Sequence, residues 1–224
     1  MEEVFDRSTL LSIEELVRRG HLETLYGVVN SGKEARVYYG VAPDNIPVAV
    51  KIYMMVSADF KKRVGYITGD RRFGKLPSNS REAIAIWVRK EFKNLQLAAS
   101  VKVRVPKPLS FYKNIIIMEY IGHPPRPAPT FAEVEVDQID CDWTFEMVER
   151  LYRSAGLVHA DLSEFNIFKW GTERVVFDMG SAVLTSHPQA TEFLGRDLRN
   201  MVRFFRKRGL TTLDADKWLG KMIK

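Results

Sequence analysis

Residues 157–168, Leu157-Val-His159-Ala-Asp161-Leu-Ser-Glu-Phe-Asn166-Ile-Phe168, and residues 174–180, Arg174-Val-Val-Phe-Asp178-Met179-Gly180, decide how this chain reads. An aspartate stands two positions after a histidine, and an asparagine follows five positions later. An Asp-x-Gly then closes a short hydrophobic run. Taken singly, each is an ordinary polar loop residue. Taken together, the bland reading needs chance spacing as well as chance order. His159 reads as a packed, hydrogen-bonded support rather than as a base.

Composition bounds the frame in which these residues act. At 224 residues the chain fits one large domain or two small lobes, and 46% hydrophobic with 28% charged residues is ordinary for a globular protein with a substantial core. One cysteine, Cys141, rules out a disulfide framework and a cysteine-based metal site, and suits a reducing cytoplasm. The first residues are acidic and lack an apolar signal segment, and no apolar run approaches membrane-spanning length, so no membrane partner is expected. The formal charge of +6 and pI near 9.4 fit either a lysine-rich solvated surface or work near RNA or another polyanion.

Outward from the opening stretches, local signals lay down a mostly β half followed by a mostly helical half. Ser12-Ile-Glu-Glu15 reads as a capping box opening a short helix that Gly20 stops. Strands are predicted at 25–29, 35–39 and 47–53. Residues 57–80, with Lys61, Lys62, Arg63, Arg71, Arg72 and Lys75 among glycines and a proline, read as a mobile basic loop or RNA contact. Ser80 caps a long helix over about 81–98, and 109–112 with 115–120 form a hairpin. The proline-rich stretch 122–129 cannot be helix or central strand and reads as a boundary. Asp142 is expected to cap a helix ending at Gly156, short strands follow near 166–169 and 174–178, a helix starts near Pro188, and a last helix holds Trp218.

Three further features belong with the opening stretches. Residues 27–34, Gly27-Val-Val-Asn-Ser-Gly32-Lys33-Glu34, resemble a phosphate-binding P-loop, but Glu34 replaces the Ser/Thr and a strand follows instead of a helix, so that reading fails. What remains is a glycine-containing turn whose backbone N–H groups can approach phosphates, or an ordinary hairpin turn. Lys51 ends the apolar run Val48-Ala-Val50 and needs an anionic partner unless it lies at the strand edge. Glu91 shares a helical face with Ile84, Trp87, Val88 and Leu95, so its carboxylate points to the core, where Lys51 is the best cation.

The spacing H-x-D-x-x-x-x-N … D-x-G resembles the protein-kinase catalytic and metal loops. Phosphoryl transfer needs a carboxylate that orients or deprotonates the nucleophile, which fits Asp161. It also needs oxygen ligands for a divalent cation, which fits Asn166 and Asp178. In that light residues 30–37 resemble a degenerate kinase glycine-rich loop that keeps only Gly32. The fold implied is α+β and bilobal: a mostly antiparallel β N-lobe with one long helix over 1–118, a hinge over 119–130, and a mostly helical C-lobe over 131–224. After Asp178-Met-Gly180 no A-P-E occurs, so the usual activation segment and its peptide platform are missing or short.

The sequence is most similar to the RIO family of atypical serine/threonine kinases, type-one branch. The stretches that carry this are Ser31-Gly-Lys-Glu-Ala35, Val48–Lys51, Gly65-Tyr66, Trp87–Leu95, Leu157–Asn166 and His187–Leu194. No additional N-terminal module is expected, which argues against the type-two branch. The resemblance implies an ATP- and Mg²⁺-dependent kinase or ATPase, with Mn²⁺ a possible substitute. It further implies autophosphorylation and a role in small ribosomal subunit maturation, with a pre-ribosomal particle or rRNA as partner, in the cytoplasm. By the same resemblance Lys51 meets the ATP phosphates beneath Ser31, Gly32 and Lys33, and is paired with Glu91, while Glu119 and Ile121 meet the adenine. Asp161 is the acid/base, Asn166 and Asp178 hold metal, and Asp178 is a possible aspartyl-phosphate acceptor. Two departures from the family pattern are Asn30-Ser31 ahead of Gly32, and Ser181 three positions after Asp178.

Overall fold

The computed structural model describes residues 5–54, 65–74, 77 and 79–223; Lys61, Lys62, Arg63 and Lys75 of the expected basic loop lie outside them. A five-stranded antiparallel sheet, in the order β1-β2-β3-β5-β4, forms the first half. Its strands are β1 (Thr24–Ser31), β2 (Ala35–Ala42), β3 (Ile46–Tyr53), β4 (Pro108–Tyr112) and β5 (Ile115–Glu119). Strand alternation decides what each face carries. Val48, Val50 and Ile52 pack with Leu16, Leu22, Tyr38, Ile115 and Ile117 beneath helix α1 (Arg7–Arg18). Lys51 and Tyr53 therefore face the other way, toward helix α2 (Ser80–Ser100).

Beyond the sheet come a two-residue pair, β6 (Gly122–His123) with β7 (Arg126–Pro127), then helix α3 (Gln138–Ala155) and β8 (Leu157–Val158). Hairpin β9 (Ile167–Trp170) and β10 (Glu173–Val176), β11 (Val183–Leu184), α4 (Ala190–Arg206) and α5 (Ala215–Met222) complete the chain. One apolar cluster runs from Ile84, Trp87, Val88 and Leu95 of α2 through Leu151 and Val158 to Leu198, Met201 and Phe205 of α4. Burial of such side chains stabilises by roughly 1.5–3 kcal/mol each. Among the described residues no helix is long and apolar enough to cross a membrane.

Three helix starts differ from expectation, each for the same reason: a capping residue lay further upstream. Asp6 caps α1 by accepting from the Ser8 and Thr9 N–H groups, leaving Ser12 inside the helix with its hydroxyl on the Ser8 carbonyl. Asn79, not Ser80, caps α2. Asp137 caps α3 in a reciprocal box with Asp140, so Asp142 is interior, and Gly156 ends the helix at φ +63°. The strand expected over 174–178 stops at Val176.

Candidate active site

A cavity of about 660 Å³ opens between the sheet and the helical half. One end is apolar, lined by Val29, Val37, Ala49, Met118, Ile121 and Phe168; the other carries Lys33, Glu34, Lys51, Glu91, Asp161 and Asp178. Gly32 and Glu119 also line it, while Ser31 and Asn166 do not. Asn166 follows Phe165 of the lining, and its backbone carbonyl accepts from the Phe177 N–H, another lining residue. The Asn166 side chain accepts from the Ser163 hydroxyl at 2.6 Å.

Lys51 Nζ is the centre of the polar end. It donates to Glu91 Oε1 at 2.8 Å and to Asp178 Oδ1 at 2.8 Å. The Tyr53 hydroxyl donates to the second Glu91 oxygen, so this carboxylate is satisfied on both sides while only 1% exposed. Burial alone would lower the Lys51 pKa; the Asp178 and Glu91 carboxylates reverse that and hold the ammonium firmly charged. Tyr53 was not singled out from sequence, although a residue two positions after Lys51 in a strand must share its face.

Asp161 stands exposed on the cleft wall, and among the described residues its side chain makes no hydrogen bond or ion pair. Partial desolvation and the nearby Asp178 charge raise its pKa, with Arg196 pulling the other way. His159 is buried, with one ring nitrogen 3.0 Å from the Phe177 carbonyl, and burial lowers its pKa, as befits a neutral support. Glu119 turns its carboxylate out of the cleft to a two-pronged Arg104 contact at 2.6 and 2.7 Å and to the Lys107 N–H.

A RIO domain profile matches residues 36–218. The chain belongs to the RIO domain family. By that membership it is a protein kinase. It is 42% identical, over 96% of its length and 73% of the other's, to the RIO-type serine/threonine-protein kinase Rio1 of Haloferax volcanii. It is 36% identical to the serine/threonine-protein kinase RIO1 of Caenorhabditis elegans over 96% of this chain but only 44% of that one. The Rio2 kinase of Chaetomium thermophilum, solved as an ADP/Mg²⁺-phosphoaspartate complex, superposes with a TM-score of 0.73 over 96% of this chain and 67% of that one, at 18% identity. That likeness bears on the fold, a kinase-like α+β arrangement.

In this RIO domain the loop holding Asp161 is fixed from helix α4. Asp197, 1% exposed, accepts from the Ala160 N–H at 2.7 Å and the Leu162 N–H at 3.0 Å. Arg196 donates to the Ala160 carbonyl. Ala160 needs this grip, because its φ of +65° is a left-handed conformation that a residue with a β-carbon adopts only under constraint. Burial pushes the Asp197 carboxyl up to about 7, against the pull of its two N–H donors. Asp197 was missed from sequence, yet it falls in the stripe of Leu194, Leu198 and Met201, the same signal that singled out Glu91.

Proposed function

We propose that this chain binds ATP with Mg²⁺ in the cleft and transfers the γ-phosphate to a serine or threonine hydroxyl, its own included, or to water. The observation that carries the reading is the convergence of Lys51, Glu91 and Asp178 at 2.8 Å contacts in a cavity that Asp161 also faces. The apolar end, with the backbone of Glu119 and Ile121 at its rim, suits a purine ring. The charged Lys51 end suits a triphosphate, with Gly32 and Lys33 of the β1–β2 turn above it and Ser31 at the turn's start.

Asn166 and Asp178 are hard oxygen donors, and among the described residues there is no cluster of three or more acidic, histidine or cysteine side chains that could cage a metal alone. That donor set fits Mg²⁺, which takes one or two carboxylates plus substrate phosphates, and Mn²⁺ accepts the same donors. When bound, the cation supplies charge neutralisation on the phosphate oxygens. Lys51, oriented by Glu91 and Tyr53, holds phosphate oxygens. Asp161 accepts the proton of the attacking hydroxyl, and its raised pKa brings it nearer the working pH.

A second reading, an ATPase switch, is favoured by the short path from Asp178 to α4: only residues 179–189 intervene, too few for a broad peptide platform. Water is then the final acceptor. A carboxylate oxygen of Asp178 attacking the γ-phosphorus, with ADP leaving, gives an aspartyl-phosphate that water hydrolyses; the phosphoaspartate named for the Rio2 complex supports this form. The setting we assign is cytoplasmic maturation of the small ribosomal subunit with rRNA or a pre-particle as partner, supported by the formal charge of +6. Labelled ATP decides among these. A phosphoserine survives acid, an acyl phosphate is cleaved by hydroxylamine, and the switch releases phosphate faster when particles are added. Absence of both protein-bound label and released phosphate, with Mg²⁺ present, overturns the proposal.

A further inference from the structure

Helix α2 grips the turn after Asp178 at more points than the Lys51–Glu91 pair accounts for. Asp178 has φ +59°, a left-handed conformation that a residue with a side chain keeps only where its surroundings over-determine it. The carbonyls that follow are taken up by α2. Lys90 Nζ donates to Gly180 O at 2.7 Å and to Ala182 O at 2.5 Å. Asn94 Nδ2 donates to Met179 O and Ala182 O, both at 2.8 Å. The Trp87 ring closes over Gly180, where an added β-carbon would lie 3.0 Å from the indole nitrogen.

Lys90 and Asn94 are both 0% exposed. Neither lines the cavity, and among the described residues Lys90 Nζ has no carboxylate within ion-pair distance. A buried amino group is costly unless its donors are used, and an apolar side chain of similar length would fill the space without that cost. The carbonyls are what Lys90 is there to hold. The Asn94 amide is set from its far side: Arg72 Nη2 donates to Asn94 Oδ1 at 2.8 Å while the same guanidinium clasps Asp70. Residues 70–72 are thereby tied to the turn after Asp178 through one amide.

We propose that Lys90 and Asn94 are positioning residues, which fix the carbonyl turn 179–182 so that the Asp178 carboxylate is presented to a divalent cation. This rests on the metal-dependent reading above. Neither residue touches substrate; each acts through the backbone that carries Asp178. The competing account is plain fold support, which would lower stability without singling out the metal.

The test uses the full chain, Mn²⁺ titrated into ADP-saturated protein with free Mn²⁺ read by paramagnetic resonance, and a fluorescent ADP analogue bound without metal. Lys90→Met and Asn94→Ala are expected to weaken Mn²⁺ binding by roughly tenfold or more while metal-free ADP affinity stays within about twofold, the pattern of groups that support a metal ligand. Folded variants with wild-type Mn²⁺ affinity overturn the proposal. If Lys90→Met does not fold, Asn94→Ala, the smaller change, decides alone by the same criterion. Failure of the wild type itself to bind Mn²⁺ with ADP overturns the metal reading, and this inference with it. A wild type that binds Mn²⁺, beside an Asp178→Asn variant that does not, leaves Lys90 and Asn94 as the only matter under test.

Discussion

The Lys51 ammonium and the Asp178 carboxylate, 127 positions apart in the chain, meet at 2.8 Å. Glu91, from a third element, holds the same ammonium at the same distance. The sheet, helix α2 and the loop after β10 are thus joined at one point, and that point is both structural and electrostatic. Lys51→Met should lower kcat/KM for ATP by roughly 10²–10³, the scale of losing one preorganised charge at a reacting centre. It should also lower unfolding free energy by about 3–5 kcal/mol, since Glu91 is left buried without its cation. Steady-state kinetics and urea unfolding check the two parts, and a fully active, fully stable variant would contradict both.

Asp161 differs in kind. With no hydrogen-bonding partner among the described residues, it contributes little to folding and is available to an incoming hydroxyl. Asp161→Asn should reduce turnover by roughly 10²–10⁴, the usual scale for a general base, while melting temperature and ADP affinity hold. The acid limb of the wild-type pH–rate profile should lie above the ordinary aspartate range, because desolvation and the Asp178 charge raise this pKa and a base works only when deprotonated.

Much of this site was legible because two periodicities intersect. Alternation along β3 puts Lys51 opposite Val50, and the 3.6-residue repeat puts Glu91 beside Trp87 and Leu95; both point to one interior. The same repeat, followed strictly, also leads to Lys90 and Asn94, which sit four apart and share a stripe with Trp87. Lysine and asparagine are assigned to solvent by default, and nothing local says that α2 is enclosed on two sides, by the sheet and by the 179–182 turn. That enclosure is a long-range fact. Helix starts were misjudged for a local reason: Ser12 and Asp142 have capping chemistry, but Asp6 and Asp137 cap first. The Glu119 side chain could not be placed, since its partner Arg104 lies in a segment without periodic signal.

Gly122 follows Ile121 of the cleft lining and carries φ +133°, where an added β-carbon would lie 2.4 Å from the Ala128 backbone nitrogen. Backbone cannot yield as a side-chain tip can. The Ile121 carbonyl accepts from the Ala128 N–H at 2.8 Å, so a clash there opens the rim against which a purine would lie. Gly122→Ala should cost about 1–3 kcal/mol of stability from backbone strain. ADP affinity should fall with it, whereas Gly20→Ala, where φ is +70° but nothing lies within 4 Å, should lose stability without loss of ADP affinity. Chemical denaturation and ADP titration of the two variants separate rim geometry from simple strain.

Asp197 gives a pH signature with a definite sign. Its folded pKa, about 7, lies above the ordinary carboxylate value because the group is buried. Between roughly pH 4 and 7 the folded state therefore binds a proton that the unfolded state releases, and stability falls as pH rises. The contribution is complete below the unfolded pKa and gone above the folded one. Asp197→Asn keeps the shape but has no such proton, so the wild-type advantage over the variant should shrink from pH 4 to 7 and stay level above. At about 1.4 kcal/mol per pKa unit the full change is of order 4 kcal/mol. The two N–H donors of Ala160 and Leu162 favour the carboxylate and already offset part of the burial effect, so a smaller change of the same sign would mean they offset more of it. Urea unfolding of both proteins at pH 4.5, 6 and 8, with the difference taken at each pH, isolates this group from every other titration; a difference that grows with pH would reverse the sign and place the folded pKa below 4.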